Sequence, residues 1–412
     1  MGLQAYRAGG RGASCPASAR DGWTGQSDRF GGAGLIAVGR LVDRGGVTAR
    51  IARALLVIAA TVTLAAAAVA PALATAQPLD YMALAERGVA QDASWRAGDW
   101  YCEYLGCTGA YPLLTTWGDV RMFESVDALE IAAPSAAHRR QVDRFAHASE
   151  RYWNPYLNGY APYPGDRYRG VEAWFDDNGW LGVAFAQAYR ATGESRYLHD
   201  AQRAFSFVAA DGWDAVDGGG MWWNTEHPYH AGESLAADSL LGMLLYQDDH
   251  ERFQLDQVRK FVDWGNTHDI GFHGLFLSGG PHSTVIDYVE SPLIYAQYLL
   301  CKATGAEGYC EHAAQQARSM TEIYGMEYNF APLYDSIFME WMMAYGQAVG
   351  DGHWLDVAET NAAQAAQHAT DSRGLWLDSW WGGRIRDSQT LPGMFRTMAG
   401  TTSLFAWLSY YS

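Results

Sequence analysis

Three short joints constrain this chain more than any other feature of it. "ATGESRYL" (191–198), "ATGAEGYC" (303–310) and "AVGDGHWL" (348–355) each close an apolar stretch with a glycine, and an aromatic follows four residues after it. Glycine in that place reads as a helix C-terminal cap. The segment before the first joint, "GWLGVAFAQAYRATG", is apolar almost all round, as a buried helix is. The segment after it, "RYLHDAQRAFSFVAADGW", puts Tyr197, Ala201, Ala204, Phe205 and Val208 on one face and solvates the other. A buried helix joined to an amphipathic one, recurring along the chain, is a repeat of helix pairs. Outer helices are expected near 79–93, 135–153, 195–210, 250–266, 308–324 and 352–370. Inner helices are expected near 117–131, 177–192, 231–247, 287–304, 335–349 and 392–411. Strand signals are scarce. The expected fold is all-α, six helix hairpins closed into an (α/α)6 barrel, with an open solenoid as the alternative that periodicity alone does not separate.

The repeat starts only after a leader. Residues 54–76 form an apolar run preceded by Arg44, Arg50 and Arg53, broken by Pro71 and ending in Ala74-Thr75-Ala76. That is the pattern of a secretory signal peptide rather than of a spanning helix. The expected division is a disordered or mis-annotated extension over 1–46, a signal peptide over 47–76 and one barrel domain over 77–412. The implied location is secreted, extracellular or in the cell envelope, with no stable membrane insertion once the leader is removed. Past the leader remain four cysteines in two close pairs, Cys102 with Cys107 and Cys301 with Cys310. An even count at short spacing in an exported chain suggests two local disulfides; neither pair has the tight spacing of a zinc knuckle.

Charge excludes one class of partner. The whole chain carries a formal −17, and since residues 1–76 hold eight Arg and three Asp, the remainder reaches −22. Lys260 and Lys302 are its two lysines. Such a surface repels phosphate backbones, so nucleic acid is not expected as a partner. There is no phosphate-binding glycine loop, because the glycines of "DGGGMWWN" (217–224) precede aromatics and lack the lysine of a P-loop. His227 and His230 have a spacing that holds metals, but no third ligand accompanies them, and neither metal nor cofactor is expected.

The loops that lead from an outer helix into the next inner one are long and rich in aromatics, notably 154–170, 211–233, 265–291 and 371–393. Long loops in a compact domain tend to be functional, and these would gather at one mouth of the ring. The first of these, 154–170, leads into "AWFDDNGW" (173–180), where Asp176 and Asp177 stand among Trp174, Phe175 and Trp180. Asp is a favoured helix N-cap, worth about 1 kcal/mol, so a plain helix start is the bland reading. The sharp one is a pair of catalytic acids. Aromatic neighbours desolvate one carboxyl and raise its pKa, while the helix N-terminus favours charge on the other. One acid and one nucleophile or base is what glycoside hydrolysis requires.

"AWFDDNGWLGVAFAQAYRATG" followed by "GGGMWWN" resembles glycoside hydrolase family 76, the α-1,6-mannanases, in which an Asp-Asp-Asn-Gly-Trp opens an inner helix and a Gly-Gly-x-Trp-Trp-Asn loop follows. "LDSWWGG" (377–383) is a weaker echo before the last inner helix, so the resemblance extends over most of 79–412. It implies an (α/α)6 barrel and a retaining mechanism with Asp176 as nucleophile and Asp177 as acid/base. It also implies sugar subsites shaped by Asn178, Trp222, Trp223 and Asn224, to which position adds Trp174, Trp180, Tyr229, Asp287, Glu290 and Trp381. Glu233 and Asp238 read either as supports for the site or as ordinary helix-start and buried polar residues. The sequence departs from the family where a Lys-Asn pair is expected, giving "YHAGES" (229–234), and where a Tyr-Asn-Gln is expected, giving "DYVES" (287–291). Both departures bear on the glycan rather than on the reaction type.

The expected partner is therefore a polysaccharide or oligosaccharide of α-mannan type, handled by a monomeric chain. The rivals are a non-catalytic glycan-binding protein with the same aromatic mouth, and a toroid enzyme acting on another glycan.

Overall fold

The computed structural model describes residues 78–109, 112–280, 283–383 and 392–412; the expected extension over 1–46 and signal peptide over 47–76 lie outside them. Twelve α-helices carry these residues: α1 (Tyr81–Gln91), α2 (Thr116–Ala132), α3 (Ala136–Ser149), α4 (Phe175–Thr192), α5 (Ser195–Asp211), α6 (Gly232–Asp249), α7 (Arg252–His268), α8 (Asp287–Thr304), α9 (Glu307–Tyr324), α10 (Pro332–Val349), α11 (His353–His368) and α12 (Phe395–Tyr411). The even-numbered helices are buried nearly all round, and the odd-numbered ones bury a single face.

The inner helices pack in the order α2, α4, α6, α8, α10, α12, and α12 returns to α2. The ring is closed, which decides between barrel and solenoid. Outer helices seat on the inner ones beside them, α5 on α4 and α6, α7 on α6 and α8, and α1 across the α12–α2 seam. Gly193, Gly305 and Gly350 cap α4, α8 and α10 in the left-handed conformation, which a side chain disfavours. These are the three joints noted in the sequence. Both disulfides form as well, Cys102–Cys107 and Cys301–Cys310, the second stapling the end of α8 to the start of α9.

Some boundaries differ from the sequence reading, among them the start of α12, expected at 392 and found at Phe395. The outer helix expected over 135–153 stops at Ser149, and a 3₁₀ turn (Glu150–Tyr152) leads into a small hairpin of β3 (Trp153–Asn154) and β4 (Gly159–Tyr160). A similar hairpin, β1 (Arg96–Ala97) with β2 (Trp100–Tyr101), precedes α2. The inner helix expected from 335 starts at Pro332, since proline is tolerated in a first turn where its missing N–H has no partner to lose. No helix among the described residues is long and apolar enough to cross a membrane.

Candidate active site

The first turns of the inner helices share a chemistry. Asp119 lies in that of α2, Asp176 and Asp177 in that of α4, and Glu233 in that of α6. Asp287 and Glu290 follow on α8 and Asp335 on α10. α12 supplies instead a cation, Arg396, at its second position. Helix N-termini favour negative charge, so one rim of the barrel is suited to hold these acids.

Over the axis at this rim the aromatics meet. Trp117 of α2 reaches across the ring to Tyr288 of α8 and to Tyr334 of α10, with centroids 6.1 Å from each, and lies 6.4 Å from Trp180. Tyr288 and Tyr334 touch at 4.6 Å. They make an aromatic floor, with the carboxyls set around it.

Asp176 and Asp177 sit on this floor's edge for local reasons. The loop carrying "GGGMWWN" pairs with the strand-like residues before α4: the N–H of Phe175 donates to the carbonyl of Trp223 at 3.0 Å, and that of Thr225 to Ala173 at 3.0 Å. The two stretches that carried the family resemblance are thus bonded to each other. The glycine run is needed there. Gly219 and Gly220 have φ of 102° and 121°, and a Cβ on Gly220 would fall 2.6 Å from the His230 ring.

Burial pushes the Asp176 carboxyl up to about 7, against the pull of its own N–H and that of Asp177. Asp177 is raised well above the usual carboxylate range by burial first and then by the charge of Asp176. Arg396 opposes that rise and Glu103 adds to it. Arg396 is itself held by Glu103, with Nε–Oε1 at 2.7 Å. The charges of Asp176 and Glu233 both raise Tyr229, after burial, which places that phenol beside the acids. Tyr288 responds to Glu233, Asp176 and Asp177 in the same way.

Four side chains expected to meet a sugar are turned elsewhere. Asn178 is fully buried and spends its amide on the backbone, accepting from the Tyr160 N–H at 2.7 Å and donating to the carbonyls of Tyr160 and Trp174. It clamps β4 to α4. Trp180 is fully buried beneath Trp117 and offers no platform. Asn224 donates to Glu172 at 2.6 Å and accepts from the Glu226 N–H, closing its own loop. Trp381 is half-buried and bonds to Asn361 of the outer helix α11 at 2.8 Å.

The two consecutive tryptophans separate, as neighbours on an extended segment do. Trp223 lies against Tyr229 (5.1 Å, near-parallel) and edge-on to Trp174 (6.0 Å), making the wall beside the acids. Trp222 packs with His227 and His230 on the loop's other side. Asp287 pairs with Asp335 and is raised to about 6 by burial, while Glu290 is fully buried. These two line the ring's interior rather than an open subsite. Asp238 is as deeply buried, its Oδ1 against Gly179 of α4, where any Cβ would fall 2.3 Å from it.

Trp117, Tyr334, Arg396 and Glu103 were not singled out in the sequence. The signal for Tyr334 is the one used for α4, an aromatic followed by an acid at an inner-helix start, here "LYDS" (333–336). Arg396 lies more than two hundred residues from the acids it faces, and no local pattern marks it. Among the described residues the single metal-spaced cluster is Cys301, Glu307 and Cys310, whose cysteines are joined in a disulfide.

Comparison with known proteins agrees with this geometry. Residues 103–273, from the rim loop before α2 through α7, match the model of glycosyl hydrolase family 76. No curated protein sequence matches the chain. A family 76 alpha-mannanase of Bacteroides thetaiotaomicron superposes with a TM-score of 0.72 at 19% identity, over 81% of this chain and 96% of that one. A family 76 glycoside hydrolase (mannosidase) of the same species gives 0.69 at 19% identity, over 80% and 98%. An inactive variant of an alpha-1,6-mannanase from Salegentibacter sp., with two consecutive aspartates changed to alanine and alpha-1,6-mannotetrose bound, gives 0.65 at 17% identity over 81% and 100%. The structures give the fold, an (α/α)6 toroid, and the family model matches this chain over residues 103–273; together they support a glycoside hydrolase similar to those of family 76.

Proposed function

We propose that the chain is an exported, retaining hydrolase of α-mannosidic linkages, acting within α-1,6-mannan chains through Asp176 and Asp177. The observation that carries this reading is the pair itself: consecutive carboxyls at the start of α4, beside an aromatic wall and floor. Their different surroundings support different roles. Asp176 takes two backbone N–H contacts at a helix N-terminus, which favour its anion and suit the nucleophile. Asp177, raised further by its neighbour's charge, suits the group that protonates the leaving oxygen and later takes a proton from water. Arg396 holds Asp177 within reach of ionisation for that second step.

The substrate follows from the family and from the charge of the rim. Neutral hexoses pack on Trp174, Trp223 and Tyr229, and the carboxyls around the mouth accept their hydroxyls. Two disulfides are consistent with an oxidising compartment, and so with export.

The test is incubation with linear α-1,6-mannan, following products by chromatography and anomeric NMR. The proposal expects α-configured oligosaccharides at first appearance, and their loss in Asp176→Asn and Asp177→Asn. First-formed β-anomers would overturn the retaining mechanism. Binding of mannan without turnover would overturn the hydrolase reading of the pair.

A further inference from the structure

A cleft of about 640 Å³ lies on the far side of the wall from the acid pair, between the 150–174 and 212–231 loops. Trp213, Trp222 and His227 line it, together with Asp211, Asp214 and Asp217. Its volume is that of a small-ligand site. A second recess of about 250 Å³ shares Leu157 and Thr225 with it, so the two form one groove. The second recess adds Tyr156 and Tyr168, 56% and 55% exposed, and the carboxylates Glu172 and Glu226.

The lining combines aromatic rings with five carboxylates, and two cations lie on its rings, Lys260 over Trp213 at 4.3 Å and Arg169 over Tyr156 at 4.9 Å. Because the carboxylates outnumber those cations, phosphates, nucleic acids and uronic acids are poorly matched to such a surface. The rings are also fixed in place. Trp213 packs on Phe261 at 5.5 Å, and Trp222 is braced by His230 at 4.4 Å, whose Nε2 meets Asp214 at 3.0 Å. Because Trp222 and Trp223 are adjacent, groove and mouth are two faces of one wall.

We propose that this groove binds a stretch of neutral glycan chain remote from the reaction centre, with ring faces stacked on the aromatics and hydroxyls donated to the carboxylates. It would retain a polymer while a shorter segment of it occupies the mouth. That the glycan is α-mannan rests on the function proposed above; the groove itself uses neither Asp176 nor Asp177.

The experiment uses the Asp176→Asn/Asp177→Asn protein, which keeps the groove, in affinity electrophoresis through gels holding linear α-1,6-mannan, β-glucan or xylan. The groove is altered by Asp211→Ala/Asp217→Ala, two exposed changes on the surface, and separately by Trp213→Ala, with circular dichroism to confirm folding. Mannan is expected to retard the parent, and the exposed double change to weaken retardation at least fivefold. In the active background the same change should lower the ratio of kcat/KM on polymer to kcat/KM on α-1,6-mannotriose by a similar factor. Unchanged retardation in folded groove variants overturns the proposal. So does an equal fall on polymer and trisaccharide, which would place the effect in the mouth. If mannan is neither cut nor bound, but groove changes weaken binding to another of the glycans, the mannan reading fails and the groove stands. If none of the glycans retards the protein, or retardation is salt-sensitive and competed by a basic peptide, the groove proposal fails whatever the turnover.

Discussion

Two regions of this barrel crowd carboxyls together, and they differ in what surrounds them. At the rim, Asp176 and Asp177 stand at a helix start beside Trp223, Tyr229 and Arg396. Further along the inner helices Glu124 and Glu340 hold Arg121, with Asp127 near the two acids and no exposure above 1% for any of the four. Arg121 bonds Glu124, Glu340 at 2.8 Å and Ser403, and Gln187 donates to Glu340 at 2.6 Å. Burial raises the carboxyls of both regions, so a displaced pKa does not distinguish them. Access does. Asp177 is half-buried, whereas Asp127 is sealed and neither of its oxygens has a partner. Perturbed acids mark a site only where a substrate can reach them.

The sharpest way to break this comparison is to neutralise one carboxyl in each region. Asp177→Asn is expected to lower kcat on mannan by about 10³-fold or more with the melting temperature little changed, whereas Glu124→Gln should leave turnover per folded molecule within about twofold. Comparable losses from both would mean that the interior cluster takes part in the chemistry. Removing the interior cation is next in size. Arg121→Met leaves two buried acids, Glu124 and Glu340, without their counter-charge and should cost about 3–5 kcal/mol in urea denaturation. A stability within 1 kcal/mol of the parent would show that those acids are already neutral without it.

The third prediction concerns pH. Asp119, Asp176 and Asp269 are raised to about 7 and Asp287 to about 6, chiefly by burial. Each binds its proton more tightly folded than unfolded, so its stabilising contribution is complete below about pH 4 and is lost as pH rises through 6 and 7. The melting temperature should therefore be higher at pH 5 than at pH 8, and Asp119→Asn should flatten the difference. A rise in stability from pH 5 to pH 8 would contradict it. The smallest effect expected is from Asp127→Asn, which removes an unpaired carboxyl next to two others and should stabilise by about 1 kcal/mol at pH 8 and by less at pH 5.

How much of this was legible in the sequence depends on the range of the interaction. Alternation of all-apolar and one-sided helices is local, as are glycine caps, and the twelve helices fall where those patterns put them. Closure of the ring is a contact between α12 and α2, far apart in sequence, and nothing local encodes it. The candidate site divides along the same line. Asp176 and Asp177 were visible as a motif. Trp180 was drawn in by proximity, yet it lies about one helical turn deeper than Asp176, at ~5.4 Å per turn, on the way to the core. Trp222 and Trp223 read as a matched pair until the period of two in extended backbone sends them to opposite sides. Arg396 was invisible because its partners come from two other parts of the chain, Glu103 by a direct ion pair and Asp177 through its charge.

The seam between α12 and α2 sets an order of events during synthesis. The N–H of Phe395 donates to the carbonyl of Glu103, and that of Leu105 to Gly393, so the first rim loop is completed by residues made almost three hundred positions later. Until α12 emerges, the inner helices form an open arc with apolar flanks on α2 and α10 and no cation beside Asp177. A chain interrupted before that point would carry every residue of the acid motif and its aromatic wall, yet it would present to the cell's quality control as an unfinished, sticky intermediate. Competence would come late and all at once, with the final helix serving as both the closure of the shell and the delivery of Arg396.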